Sequence, residues 1–170
     1  RVRWAKISFR IPILEQGEPS LSADDARVAF LRLDPKTKSD IWLWDLARNS
    51  TARLTFDAAD DWLPLWSPDR TSIAFASQQR SGAASVCQLY VKSVDGATAE
   101  RLLIETPGDT HPDGFFPDGR SLLYDTRDPP TRQDLWVLPL SASPRAAPGW
   151  SATPRPATSN IPVRTCNPTL

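Results

Sequence analysis

Short apolar runs separated by clusters of turn-forming residues recur along the whole central part of the chain. The runs at 28–31 and 73–76 are too short for helices and consist of residues common in strands. Residues 89–94 alternate between apolar and polar positions, as a half-buried strand does. The clusters between the runs are rich in Ser, Pro, Gly and Asp. This pattern predicts β-strands joined by tight hairpins and excludes helical repeats.

One nine-residue pattern occurs three times, at 22–30, 67–75 and 116–124, with starts 45 and 49 residues apart. The third residue of each copy is Asp and the ninth is aromatic. An Asp carboxylate can accept hydrogen bonds from backbone amides two residues further on, which is typical of tight turns. We therefore predict that three aspartates anchor hairpin turns in a structural role: Asp24, Asp69 and Asp118.

Each of these turns also needs a residue in the left-handed conformation. Gly119 supplies it in the third copy without steric cost, and Asp25 tolerates it in the first. Arg70 occupies the position in the second copy and tolerates it less well. The sequence therefore predicts a slightly strained turn at Arg70.

A second motif repeats with the same period, because its aromatic residues Trp42, Tyr90 and Trp136 lie 48 and 46 residues apart. Each repeat then contains four predicted strands, which in the middle copy are 63–66, 72–77, 88–94 and 100–104. Four-stranded units at this period are typical of β-propeller blades. A β-sandwich would not explain so long a period.

The predicted fold class is all-β: a partial β-propeller of about three four-stranded antiparallel blades with a Pro-rich irregular C-terminal tail. Propellers typically close with about four to eight blades, and each blade buries its faces against its neighbours. We therefore expect further blades, from a longer protein or from another chain, to close the ring. The predicted boundaries are 1–17 for a strand of a preceding blade, 18–61, 62–112 and 113–140 for three blades, the last incomplete, and 141–170 for the tail or linker.

The motif Trp-Ser-Pro-Asp at 66–69, followed by Ile-Ala-Phe at 73–75, resembles the PD40, or TolB-like, β-propeller repeat. Residues 116–119 keep the turn without the Trp-Ser pair, and the resemblance extends over roughly 18–140. Such repeats form the periplasmic TolB component, the propeller of prolyl-oligopeptidase-like peptidases, and propellers appended to bacterial Ser/Thr kinases. The sequence of residues 53–57 is most similar to that of the propellers appended to kinases. The resemblance implies a periplasmic location if the chain belongs to a TolB-like protein. It implies a cytoplasmic or membrane-tethered location if the chain belongs to a kinase.

Composition narrows the classes of partner. Lys plus Arg and Asp plus Glu are both 20, so the net charge is zero and a strongly basic nucleic-acid binder is excluded. No apolar run approaches the roughly 20 residues that span a bilayer. We expect a protein or peptide partner, no nucleic acid and no membrane span. Cys87 and Cys166 are predicted to be unpaired thiols, because one lies in a patterned segment and the other in the Pro-rich tail.

The sequence contains no catalytic motif. A G-x-S-x-G elbow and the kinase signatures are missing, and one histidine without Cys or Glu partners cannot build a zinc site. The pairs Asp24-Asp25 and Asp60-Asp61 lack the spacing of a calcium loop. We interpret Asp60-Asp61 as part of a solvated loop, with contact to a cation as the alternative. We therefore predict a segment that is not an enzyme and holds no cofactor or metal.

Long loops at one face of the blades are the predicted binding surface, since rigid scaffolds carry binding residues on such loops. His111 is expected to be an exposed loop residue. The candidate partner-binding residues are Asp60, Asp61, Trp62, Arg80, His111, Arg127 and Arg132. The first hypothesis is a non-catalytic interaction or sensor propeller that resembles TolB, and the alternative is the substrate-gating propeller of a prolyl-oligopeptidase-like serine peptidase.

Overall fold

A computed structural model describes residues 19–33, 38–79, 86–128 and 132–140 of the chain. This part of the chain consists of β-strands and connecting turns and contains no helix. It therefore has no helix long and apolar enough to cross a membrane. The all-β prediction is confirmed, whereas the predicted strand at 1–17 and the Pro-rich tail at 141–170 lie outside the described residues.

The described residues form eleven strands in three antiparallel sheets, and strands that follow one another within a sheet are hydrogen-bonded neighbours. The first sheet is β1 (Ser20–Leu21), β2 (Arg27–Leu33), β3 (Ser39–Asp45) and β4 (Ser50–Arg53). The second sheet is β5 (Asp60–Trp66), β6 (Ser72–Gln79), β7 (Val86–Ser93) and β8 (Arg101–Ile104). The third sheet is β9 (Asp109–Phe115), β10 (Ser121–Asp128) and β11 (Arg132–Pro139).

The first strands of the second and third sheets, β5 and β9, are called the inner strands below. Both start earlier than the sequence predicts. β5 begins at Asp60, inside the range predicted for the first blade, and β9 begins at Asp109, inside that predicted for the second. The sequence pattern placed the first strand of the middle repeat at Leu63 because the preceding residues are polar. Those polar residues pair with the neighbouring strand as the apolar ones do.

The hairpin turns have the geometry that the repeat predicts. The left-handed residues are Asp25, Arg70 and Gly119, with φ of 56°, 64° and 68°. In the first two turns a serine hydroxyl donates to the aspartate at 2.6 Å, from Ser22 to Asp24 and from Ser67 to Asp69. In all three turns the carboxylate also accepts the backbone N–H two residues on, at Ala26, Thr71 and Arg120. These bonds hold the pKa of Asp24, at about 2, and of Asp69 below the usual value.

Both inner strands carry a β-bulge at the same repeat position. In β5 the pairing shifts between Trp62 and Leu65, and in β9 it shifts opposite Leu123 and Tyr124. Leu63 in the first bulge has φ of 55°, in the left-handed region that disfavours a large side chain. Pro64 follows it and has no N–H for the ladder, so a bulge keeps this proline inside the strand.

The apolar core lies between successive sheets. Residues from β2, β3 and the segment after β4 pack against the second sheet, whose opposite face packs against the third. Both faces of the second sheet are therefore buried, as stacked blades require. The buried core residues of the first junction are Ala29, Ile41, Leu54, Trp66, Ile73, Phe75 and Tyr90. Those of the second are Ala74, Leu89, Leu122 and Tyr124.

The tryptophans divide between these junctions and the sheet surfaces. Trp66 belongs to the first junction, and Trp136 packs at the second with its Nε1–H donating to the Thr126 hydroxyl at 3.1 Å. Both side chains therefore take part in the packing between blades. Trp42 is half-buried beneath the guanidinium of Arg32, 4.5 Å from the ring centroid.

The described strands do not close a ring. The third sheet has three strands in the described residues, and β11 lies at its edge. Val137 on this edge strand is 50% exposed, and Phe116 at the end of β9 is 42% exposed. These apolar surfaces have the character of a blade face that a neighbour would cover.

Cys87 overturns one prediction. It is fully buried in β7, and it is disulfide-bonded rather than a free thiol. Spacing along the chain could not show this, because the pairing of cysteines depends on distance in the fold. Cys166 lies outside the described residues.

Candidate functional site

The predicted binding residues do not form one exposed surface. Asp60, Asp61 and Trp62 lie in β5 and His111 lies in β9, so their expected placement in loops is wrong. Three arginines complete the predicted set. Arg127 is half-buried in β10, Arg132 begins β11, and Arg80 lies outside the described residues.

Asp60 joins two blades. Its Oδ1 accepts the backbone N–H of Ser39 at 2.9 Å and the Ser39 hydroxyl at 3.1 Å. Asp109 occupies the same position one repeat later and accepts the N–H of Cys87 at 2.8 Å. Each aspartate therefore links the first strand of one blade to the start of the third strand of the preceding blade. This repeated contact is structural. The positions of the loops in the sequence do not predict it.

His111 is buried rather than exposed. Only 2% of its surface is accessible, and its Nδ1 lies 3.1 Å from Oδ1 of Asp125, which is also buried. A carboxylate in this position fixes the orientation of the imidazole ring. Trp62 occupies the equivalent position in the preceding repeat, so the site suits a packed side chain. The expected exposure of His111 is wrong because this residue belongs to an inner strand.

Three carboxylates meet at the junction of the first two blades. Asp57 comes from the segment after β4, Asp61 from β5, and Glu100 from the residue before β8. One carboxylate oxygen from each lies within 4.8 Å of the others. Asp57 is exposed, Glu100 is half-buried and Asp61 is fully buried. The cluster is therefore open to solvent on the side of Asp57 and closed on the side of Asp61.

Asp61 is the most perturbed group in the cluster. Neither of its carboxylate oxygens has a hydrogen-bond partner of acceptable geometry, and the same holds for the buried hydroxyl of Ser77 opposite it on β6. Burial raises the pKa of Asp61 to about 7, against the opposite effect of the Ser77 and Thr55 hydroxyls that face it. Nearby Asp57 and Glu100 raise this pKa further.

Glu100 pairs with one cationic side chain among the residues that the structure describes. Its Oε1 lies 3.0 Å from Nζ of Lys92, and both side chains are almost enclosed, whereas Oε2 is buried without a partner. Burial and the neighbouring Asp57 raise the pKa of Glu100. Burial and the charges of Asp57 and Glu100 also raise the pKa of Tyr90. The carboxylate cluster therefore acts electrostatically on the Tyr90 hydroxyl.

Sequence reasoning missed Asp57 and Glu100 because the cluster is assembled from two blades. No local spacing relates residues 57, 61 and 100, so a motif search could not bring them together. One signal was present in the repeat itself. Asp61 aligns with the neutral Thr110 one repeat later, which marks residue 61 as a position where the blade pattern does not require an acid.

The stacked antiparallel sheets have the β-propeller fold, which TolB proteins and peptidase propellers share. The TolB-like protein of Agrobacterium tumefaciens, described as a putative TolB, superposes with a TM-score of 0.66 at 19% identity, covering 76% of this chain and 47% of that one. The β-propeller domain of the Trilobed protease from Pyrococcus furiosus gives a TM-score of 0.56 at 17% identity, covering 74% and 38%. At these identities the similarity establishes the fold alone.

A similarity in sequence points to a longer protein. The chain is 28% identical over 116 residues to the uncharacterized peptidase YuxL of Bacillus subtilis, which covers 65% of this chain. The chain spans 17% of the length of that relative. No protein-family model matches the chain.

Proposed function

We propose that the chain is a non-catalytic propeller segment that contributes blades to a larger β-propeller and serves the binding of a protein or peptide. The observation that supports this most is the stacking of three sheets through two apolar junctions, with the third sheet open at β11. A scaffold of this kind holds connecting loops rigidly, and such loops commonly carry binding residues. The net charge of zero fits a protein or peptide better than a polyanion.

The surface that we propose for the partner is the face where the second strand of each blade leads into the third. Asp61 and His111 are buried, Asp60 bonds Ser39, and Trp62 packs against a core cluster. The proposal therefore rests on the three predicted arginines, Arg80, Arg127 and Arg132. Their substitution by alanine should weaken partner binding without changing the far-UV circular dichroism spectrum. An unchanged affinity in all three variants would remove this face from the proposal.

A second candidate role is the substrate-gating propeller of a serine peptidase. The similarity to the peptidase YuxL, at 28% identity over 116 residues, favours it. The similar proteins described above are TolB and peptidase propellers, and they give the kinase-appended arrangement no support. In the peptidase role the blades would admit or exclude peptides, while the nucleophile would lie in another domain.

The complete reading frame that encodes the chain separates the two roles. A G-x-S-x-G elbow with Asp and His further along the same frame would establish the peptidase role. A secretory leader and propeller blades with no hydrolase domain would establish the TolB-like role.

The non-catalytic assignment has its own test, because the 170-residue chain can be assayed with peptide and ester substrates. We expect no hydrolysis above the buffer rate. Hydrolysis that co-purifies with the chain and disappears on a single substitution in it would overturn the assignment.

A further inference from the structure

We infer that Asp57, Asp61 and Glu100 form a binding site for a hard divalent cation, with Ca²⁺ the best match, at the junction of the first two blades. The inference concerns the junction itself and does not depend on which partner the propeller binds. The three carboxylates supply one oxygen each within 4.8 Å of one another. The hydroxyls of Ser77 and Thr55 face the same point from the buried side.

Burial of unpartnered oxygens is the first support for this site. Asp61 is 0% exposed, and neither of its oxygens has a hydrogen-bond partner of acceptable geometry in the described part of the chain. The same holds for the Ser77 hydroxyl, which is also 0% exposed. A buried carboxylate without a partner is costly, and proteins relieve that cost with a counter-charge, a metal ion or a proton. The buried oxygens of Asp61 can therefore act as ligands for a cation.

The charge balance is the second support. Three carboxylates meet at this point, and Lys92 is paired with Glu100 alone, through Oε1. The nearby guanidinium of Arg53 is directed elsewhere, since it donates to Asp40 at 2.7 Å and to the Thr55 carbonyl at 2.7 Å. Among the described residues, one ammonium group therefore faces three carboxylates, and a divalent cation would balance the remaining charge.

The ligand chemistry selects the ion. Carboxylate and hydroxyl oxygens without sulfur or imidazole suit Ca²⁺ and Mg²⁺ and disfavour zinc and copper. Ca²⁺ takes about six to eight oxygens in flexible sites built from protein groups, whereas Mg²⁺ keeps several waters and is usually held by only one or two carboxylates. Three carboxylates, with two hydroxyls that face the same point, therefore match Ca²⁺ better than Mg²⁺.

The next junction provides an internal comparison. Thr110 occupies the position of Asp61 there, and its hydroxyl lies 2.6 Å from that of Thr106, so the polar groups are satisfied by each other. A neutral hydroxyl pair therefore suffices to complete a junction of this fold. The acid at residue 61 is a departure from the repeat, as expected for a ligand rather than for a packing residue.

Terbium luminescence tests the site directly, because Tb³⁺ replaces Ca²⁺ and is sensitised by nearby aromatic rings such as Tyr90. We expect the 170-residue chain to bind Tb³⁺, and Ca²⁺ at about 1 mM to displace it more effectively than the same concentration of Mg²⁺. The variant Asp61→Thr, which copies the natural counterpart Thr110, should lose about tenfold or more in affinity. Asp60→Asn is the matched control and should retain wild-type affinity, since Asp60 bonds Ser39 outside the cluster.

Thermal unfolding separates a cation site from a merely buried acid. Ca²⁺ should raise the midpoint of the wild type and of Asp60→Asn, but not that of Asp61→Thr. With EDTA, Asp61→Thr should unfold at a higher temperature than the wild type, because it removes an unpaired buried carboxylate. Glu100→Gln provides a second ligand variant if Asp61→Thr lacks a β-sheet spectrum. Equal Tb³⁺ affinity in the wild type and both ligand variants, or no Ca²⁺ effect on the folded wild type, would overturn the inference.

Discussion

Replacement of Phe75 by alanine tests whether the first two blades stabilise each other. Phe75 is fully buried in β6, and its ring is stacked on that of Tyr90 with centroids 6.1 Å apart. It belongs to the same core as Ala29 and Ile41 of the first blade. Removing a fully buried aromatic ring costs about 3–5 kcal/mol, from lost burial and from the cavity that remains. We expect a loss of this size in the free energy of unfolding.

Urea unfolding followed by tryptophan fluorescence measures this loss, because two of the seven tryptophans, Trp66 and Trp136, lie at the junctions. Leu21→Ala is the control, since Leu21 is 51% exposed and its truncation should change stability by about 0.5 kcal/mol or less. A cost for Phe75→Ala below about 1 kcal/mol, or no greater than that of the control, would refute the packed junction.

Three further predictions concern the turns, the links between blades and Cys87. Gly119→Ala should cost about 1 kcal/mol through backbone strain alone, because φ is 68° and the added Cβ would meet only Pro68 Cδ at 3.9 Å. Gly114→Ala, at a position with open space and no positive φ, should leave the urea midpoint nearly unchanged. Asp109→Ala should cost about 1–2 kcal/mol and speed hydrogen exchange of the Cys87 amide, and unchanged exchange would contradict the link. Cys87 of the denatured chain should react with iodoacetamide only after reduction, and labelling without a reductant would contradict the disulfide.

The local features of the fold could be predicted because they are written in short stretches of sequence. The Ser-Pro-Asp turn specifies its own hydrogen bonds, and these bonds reappear at Asp24, Asp69 and Asp118. The left-handed conformation at Arg70 followed from its place in the repeat rather than from its residue type. Because equivalent positions of a repeat share one conformation, a copy with a clear motif predicts the structure of a copy whose sequence has diverged.

The site could not be predicted in the same way, because its residues are brought together across a blade junction. The polar stretch around Asp61 predicts a solvated side chain, yet β5 begins one residue earlier, at Asp60, and Asp61 is fully buried. His111 was misplaced for the same reason. Alternation of apolar and polar residues describes the faces of one strand, but it does not record which polar side chain the neighbouring blade covers.

Sedimentation equilibrium of the 170-residue chain tests most directly the central claim, that its three blades form an unclosed arc with apolar ends that further blades must cover. The account predicts a mass that rises above 18.9 kDa with protein concentration, because exposed residues such as Val137 and Phe116 on the open sheet would associate. A single species of 18.9 kDa at every concentration would contradict it.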